Sequence, residues 1–525
     1  MRRITLNANQ EAWLPWVFLI ALALIYLAFP TKNYYWDGVA FAQAIEDAPG
    51  IDSSLLHPNH LIYNLVGYIF YRSIRAFGFN IRALSALQIL NSVLGAICAL
   101  ILFQILKRAL RSVYLATTLT LLFALSATWW KFATDADSYV SSILFLLFSF
   151  YLILPGNRSR PFLVALTFSA AMLFHQLAVF FYPVAVAGLL LQSVSKGKQR
   201  FLDPLEFTLV SFTMTAAAYC YSYYLITGTF NLHRFVQWIT DFSPDVSFSF
   251  NLWSNFFYTL RGHFRLFFGG RFNAIAELIN PMVIVLMAIL AVSFVVFLYK
   301  VIRTFPRSLN KPKCHWIASL RRDPQLRALL LLAAIWTFVY LAFLFVWLPQ
   351  NTFYRLFYLP ALILIVGIIL ATCEQPDPGR RHYRLAWLVT ILALLNFLFL
   401  IFPYSHTQKH PPLAFALEMN RVWPDHTIVY YGSANSDNSL VRYFNQGTKW
   451  KKLELENAQQ LEQDLRDATA KGIDMWLETS AIDQLTNSPG GSEWLKSHVN
   501  EETQRALVTK AHNIRFVQIT PSREQ

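Results

Sequence analysis

Five short stretches hold side chains that could do chemistry. The first is "YYWDGVAFAQAIED" (34–47), where Asp37 stands alone beside Trp36 and Gly38. A carboxylate against apolar walls is suited to general-base work, because burial raises its affinity for a proton. The same residue could cap the helix that follows, with Phe41, Ala44, Ile45 and Ala48 on one face. The second stretch, "LLHPNHLIYN" (55–64), places His57 and His60 three residues apart, on one face of a helix begun by Pro58. They could meet a phosphate or a hydroxyl, or simply cap a helix at an interface. The third, "FATDADSYVSS" (132–142), holds Asp135 and Asp137. Two hard oxygen ligands could take Mg²⁺ or Mn²⁺, and a solvated turn that caps the next helix is the plainer use. In the fourth, "MLFHQLAVFFYP" (172–183), His175 lies in a tight turn. In the fifth, "LPQNTFYRLFYLP" (348–360), Arg355 could grip a phosphate or snorkel to an interface. Arg261, Arg265 and Arg271 lie among aromatics in "LRGHFRLFFGGRF" (260–272) and add further positive charge.

The elements that must position these residues are membrane helices. Of the 525 residues, 55% are hydrophobic and only 14% charged. Soluble chains carry about 25% charged residues. Runs long enough to cross a bilayer fall near 13–30, 83–106, 113–131, 139–154, 161–175, 177–194, 205–227, 281–299, 328–348, 356–373 and 385–403. The segment 61–71, eleven apolar residues followed by Arg72 and Arg75, is too short to cross and suits a helix lying along the membrane.

Charge settles the expected topology. The N-terminus and loops 107–112, 155–160, 195–204, 300–327 and 374–384 hold 21 Lys and Arg against 6 Asp and Glu, counting Glu206 at a span edge. The opposite loops hold 10 against 9. The positive-inside rule then puts the N-terminus in the cytoplasm and outer loops at 31–82 and 228–280. The net charge of +14 is thus accounted for by topology, and no basic face remains for nucleic acid. The four cysteines fall in spans, at a span edge or in a cytoplasmic loop, so no structural disulfide is expected.

Past residue 403 the composition changes. Residues 404–525 hold 28 of the 74 charged groups. Strand-like "HTIVYYG" (426–432), "GIDMWLE" (472–478) and "IRFVQIT" (514–520) alternate with an amphipathic helix at 457–472. A small extracytoplasmic α/β domain with a partly parallel sheet is expected at 404–525, after a transmembrane domain at 1–403. No Asp, Glu, Lys or Arg sits near the middle of a span, which argues against an ion-coupled transporter.

The order of these stretches resembles the GT-C superfamily of integral-membrane glycosyltransferases. An acidic loop follows span one, then "HPNHLIYNLVGYIFYRSIRAFG", "TDADSYVSSILFLLFSFYLIL", "FHQLAVFFYP" and a late "YRLFYLPALIL". It looks most like the branch with protein O-mannosyltransferase-like proteins and their bacterial relatives, over about residues 10–405. The resemblance implies a sugar donor on a polyprenyl phosphate and a glycan, lipid or protein acceptor, at the outer face of a bacterial inner membrane. Asp37 matches the acid that serves as base in an inverting transfer. Asp137 matches a second acidic position, with His175 nearby as a further acceptor-side candidate. That second position is used for metal in the oligosaccharyltransferase branch, which leaves a metal at Asp135 and Asp137 open, and no other cofactor is implied. Arg355, His57, His60, Arg265 and Arg271 are the candidates for the donor phosphate. The sequence departs from the pattern in having Gly38 after Asp37 and in a tail unlike a β-trefoil. A lipid or glycan flippase and a non-catalytic glycan-assembly protein are the alternatives.

Overall fold

The structure is a computed structural model. It describes residues 8–192, 199–240, 248–270, 320–372, 378–406, 411–423, 426–432, 436–453, 458–499 and 516–521, with isolated helical residues between 285 and 299. Its contacts divide the chain into two compact units, one of residues 1–31 and 44–403, the other of 32–43 and 404–525.

The first unit is helical. α1 (Ala8–Ala28), the last four residues of α2 (Trp36–Asp47) and α3 (Tyr63–Ala76) precede a long α4 (Ala83–Leu110). α5 (Val113–Ala124) and α6 (Ala127–Ala133) follow, then α7 (Tyr139–Leu152), α8 (Pro161–Phe174), α9 (Tyr182–Gln192) and α10 (Gln199–Thr227). α11 (Leu232–Thr240), α12 (Leu252–Phe267), α13 (Pro324–Trp347), α14 (Leu359–Thr372) and α15 (Pro378–Asn396) complete the described part.

By length and composition, three described helices can cross a membrane: Ala83–Leu110, Pro324–Trp347 and Arg384–Tyr404. A fourth crossing is possible if α5 and α6, bent by 69° at their junction, act together. The expected spans near 139–154, 161–175, 177–194 and 356–373 contain apolar helices of only 10–17 residues, 13–30 overlaps the 21-residue α1, and 205–227 lies within α10. Among the described residues the eleven expected spans are therefore matched only in part by full-length helices. Breaks shorten the helices. α5 stops where the Ser126 hydroxyl bonds the Phe123 carbonyl, and α8 stops at extended His175. The run 281–299 lies largely outside the described residues. α3 buries Tyr63, Asn64, Gly67, Tyr68 and Tyr71 and leaves Arg72 and Arg75 exposed, so it is two-faced.

α4 organises the site through polar groups on its buried face. Gln88 Nε2 donates to the Thr31 and Thr134 carbonyls at 2.8 and 2.9 Å. Asn91 Nδ2 donates to those of Asp135 and Asp137 at 2.8 and 2.6 Å. In an apolar surround such bonds are costly to leave unmade, so the 134–137 loop is pinned to α4. The start of α4 is held by Glu46, which accepts from the Ala83 amide at 2.8 Å and pairs with Arg82 at 2.7 Å. Glu46→Ala removes an acid from a helix N-terminus and should cost about 1–2 kcal/mol. A lowered Tm in thermal unfolding is the expected result, and Glu46→Gln should recover part of it.

The second unit carries a four-stranded sheet of order β2-β1-β3-β4. β1 (Ile428–Tyr431) is parallel to β2 (Lys449–Lys452) and β3 (Met475–Glu478), and β4 (Phe516–Ile519) is antiparallel to β3. Three strands lie inside the stretches expected from sequence. β2, "KWKK", was not anticipated, because an edge strand with exposed lysines lacks an apolar pattern. α16 (Pro411–Val422), α17 (Ser436–Phe444), α18 (Ala458–Ala470), α19 (Thr479–Thr486) and α20 (Gly491–His498) surround the sheet. Leu461, Leu465 and Ala468 of α18 bury against Tyr430, Met475 and Leu477. Gly472, at φ +65°, ends that helix in the left-handed conformation. The segment 32–43 belongs to this unit: the Lys32 amide donates to the Tyr404 carbonyl at 2.5 Å, and Tyr34 stacks on Phe444.

Candidate functional site

Within the first unit the candidate residues form two polar nests. In the first, His57 caps a short 3-10 turn, Pro58–His60, and accepts from the Asn59 amide through Nδ1 at 3.3 Å. This turn replaces the expected longer helix. It still brings the His57 and His60 rings to 5.8 Å, and His60 to 4.7 Å from His175. His60 Nδ1 lies 2.7 Å from the Ser138 hydroxyl, next to Asp137. His175 is buried and accepts from the Leu177 amide through Nδ1 at 3.1 Å, so in the neutral ring the proton sits on Nε2. That buried Nε2 has no hydrogen-bond partner. The rings of Tyr139, Phe357 and Tyr354 close around it at 5.2, 5.1 and 5.8 Å.

Asp135 and Asp137 are fully buried. Asp135 faces Lys131 at 3.5 Å and accepts from the Ala136 amide, and Asp137 accepts from the Ser138 amide at 2.6 Å. Among the described residues no three His, Cys, Asp or Glu side chains group as metal ligands. The pair does not fit the Mg²⁺ or Mn²⁺ site expected for it, since Lys131 already supplies positive charge at Asp135.

Burial holds the His57 proton affinity below its usual value. It does so more strongly for His60, where the neighbouring His175 and His57 add to the effect. With the folded value depressed, the unfolded chain binds more protons below about pH 6.5, so stability is present above that pH and lost as pH falls. Tm should therefore drop on acidification from pH 7 to 5, and less steeply in His60→Gln.

The second nest surrounds Arg355, in the 3-10 turn Phe353–Phe357. The sequence leaves Arg355 two uses, a grip on a phosphate or snorkelling to an interface. Arg355 is 0% exposed. Its Nη1 donates to Tyr358 Oη at 2.8 Å and its Nη2 to the Pro349 carbonyl at 2.5 Å. His263 Nδ1 donates to the Thr259 carbonyl at 2.8 Å, which leaves Nε2 to accept from Tyr358 Oη at 3.0 Å. Burial, with Arg355 nearby, lowers the proton affinity of His263. Arg355 Nε has no acceptor, and among the described residues no carboxylate pairs with the guanidinium. Gly262 gives it room: a Cβ there would stand 2.5 Å from Nε and 2.9 Å from Nη2.

The two nests use opposite neighbours of one turn. Tyr354 and Phe357 pack on His175, while Arg355 packs on α12. Arg261 and Arg265 of α12 are exposed, and Arg271 lies outside the described residues. Asp37 stands in the first turn of α2, half-buried, in the second unit. Sequence reasoning missed Asn91, Ser138, Gly262 and Tyr358. Asn91 was the findable one, as a polar residue within an apolar run.

The whole-chain similarity is to ArnT from Cupriavidus metallidurans. The form bound to undecaprenyl phosphate matches with a TM-score of 0.60 over 98% of this chain and 98% of that one, at 11% identity. At this identity the match shows a shared fold. The apo form of the same protein matches with a TM-score of 0.59 and 12% identity, over 97% of this chain and 98% of that one. No family model matches the sequence, and no curated protein does. The GT-C resemblance read from the sequence is thus borne out at the level of fold, on a chain that shares few residues with its structural neighbours.

Proposed function

We propose that the chain is a membrane glycosyltransferase that moves a hexose or pentose from a polyprenyl-phosphate donor to an acceptor hydroxyl at the outer face of an inner membrane. The observation that carries this reading is Arg355, a buried guanidinium with an unused Nε–H and no carboxylate. Burying such a charge costs several kcal/mol unless something anionic compensates it. A phosphate that gains charge as it leaves is a partner of the right sign. The ArnT fold, with its undecaprenyl phosphate complex, supports a lipid-linked phosphate as that anion.

In the reaction, Asp37 takes the proton of the acceptor hydroxyl. The oxygen attacks the anomeric carbon as the carbon–oxygen bond to phosphate breaks, with inversion. The electron pair leaves with the polyprenyl phosphate, whose negative charge is met by Arg355 Nε–H. Tyr358 and His263 hold the guanidinium in place, and His175 Nε2–H is a second donor on the acceptor side. No step runs through a metal. The N-terminus is read as cytoplasmic and the second unit as extracytoplasmic. Purified protein in lipid nanodiscs, given a polyprenyl-phosphate sugar, tests this: sugar-bearing product and free polyprenyl phosphate are expected, and an intact donor after incubation with candidate acceptors would count against it.

A further inference from the structure

Asp37 follows a stretch with little regular structure to hold it. Residues 29–35 form neither helix nor strand, and Asp37 comes next in the first turn of α2. Contacts outside the stretch must therefore set where the carboxylate stands. Those contacts come from the second unit, to which residues 32–43 belong. The Lys32 amide donates to the Tyr404 carbonyl. The Tyr34 ring lies 6.3 Å from that of Phe444 at 29°, a stacked pair. The Gly38 amide then donates to the Tyr35 carbonyl at 3.1 Å and closes a turn around Asp37. Any shift of Tyr34 is carried into that turn.

The other half of the pair is firmly set. Phe444 is the last residue of α17, and buried Tyr443 meets its ring edge-on at 5.2 Å. Next in the chain, buried Asn445 donates through Nδ2 to the Ala416 carbonyl of α16 at 3.1 Å. A buried amide is costly to leave unpaired, so this bond fastens the end of α17 to α16. Leu440, Val441 and Tyr443 of α17 are buried, whereas Phe444 is half-buried, as Tyr34 is. We propose that the second unit positions the general base, with Phe444 acting through Tyr34 to hold Asp37 in its working place. The role rests on the reading of Asp37 as base. It gives 404–525 a part in the chemistry without a contact to substrate. A base must stand within about 3 Å of the proton it takes, and a displacement of about 1 Å can cost about 10² in rate.

Full-length Phe444→Ala protein in nanodiscs, given a polyprenyl-phosphate sugar and an acceptor extract, should lose about 10–10² in kcat, with KM for the donor near the wild-type value. Phe444→Tyr keeps the stack and should restore most of the rate. Tyr34→Ala breaks the same pair from the other side and should match Phe444→Ala, should that variant fold poorly. In Asp37→Asn protein, Phe444→Ala should cost nothing further, because it acts through the group already removed. Hydrogen exchange, read without substrate, should quicken across 32–43 in Phe444→Ala and stay unchanged in β1 and β3. Wild-type kcat in both Phe444→Ala and Tyr34→Ala would overturn the proposal. So would a loss that multiplies with that of Asp37→Asn, or unchanged exchange across 32–43. Undiminished kcat in Asp37→Asn alone would overturn the role by removing the base itself, and the exchange at 32–43 would then still report whether Phe444 holds the segment.

Discussion

Asp37→Asn should lower kcat by about 10²–10⁴, the range lost when a positioned general base is removed. The amide has nearly the same shape and can still sit in the first turn of α2. It cannot accept the acceptor's proton at neutral pH. Donor binding should hardly change, so the loss should appear in kcat with KM for the donor near the wild-type value. The helix-terminus role makes the opposite forecast. A carboxylate in the first turn interacts favourably with the N-terminal end of the helix, and Asn also caps well, so the variant would cost at most about 1 kcal/mol of stability and no activity. Measuring kcat and Tm on the same preparation separates the two.

Arg355→Met should reduce kcat/KM by about 10²–10³, the cost of removing one preorganised donor from a developing anion. Its effect on folding should be small. Replacing a buried charge by an apolar side chain of similar volume is often neutral or stabilising, and Tyr358 keeps His263 as acceptor. A large activity loss with an unchanged or raised Tm is the signature of a ligand-binding cation. If Arg355 served only packing, Tm and activity would fall together. Arg355→Lys should lose nearly as much as Met, because a lysine has no Nε–H edge beside its terminal nitrogens. Gly262→Ala reaches the same site from α12. A methyl group 2.5 Å from Nε must push the guanidinium aside, so kcat/KM should fall without any loss of charge.

Much of the first unit was legible in the sequence because lipid imposes a simple rule: apolar runs become helices. The ends of those helices were not legible. α5 and α6 form one apolar run, and nothing in a hydropathy reading marks the 69° bend at Ser126. His57 and His60 were expected on one helical face. A 3-10 turn brings them together by a different route, and only the fold reveals His175 beside them. For Arg355 the sequence could not choose between a phosphate contact and snorkelling, because both suit an arginine at the end of an apolar segment. Its enclosure depends on Gly262, 93 positions earlier in the chain, and that coupling has no local signature. In the second unit the buried strands showed themselves by their apolar pattern. β2 did not, since a four-residue, lysine-rich strand at a sheet edge has no apolar pattern.

The central claim is that this chain breaks a sugar–phosphate bond rather than moving a lipid or holding a glycan. The direct measurement is mass spectrometry of the lipid pool after wild-type and Asp37→Asn proteins are incubated in nanodiscs with a polyprenyl-phosphate sugar and a mixed lipid and glycan acceptor extract. The account predicts free polyprenyl phosphate and a matching sugar-mass gain on one acceptor class with the wild type, both reduced about 10²–10⁴ in the variant. Equal donor turnover by the two proteins, or an intact donor with both, would contradict it.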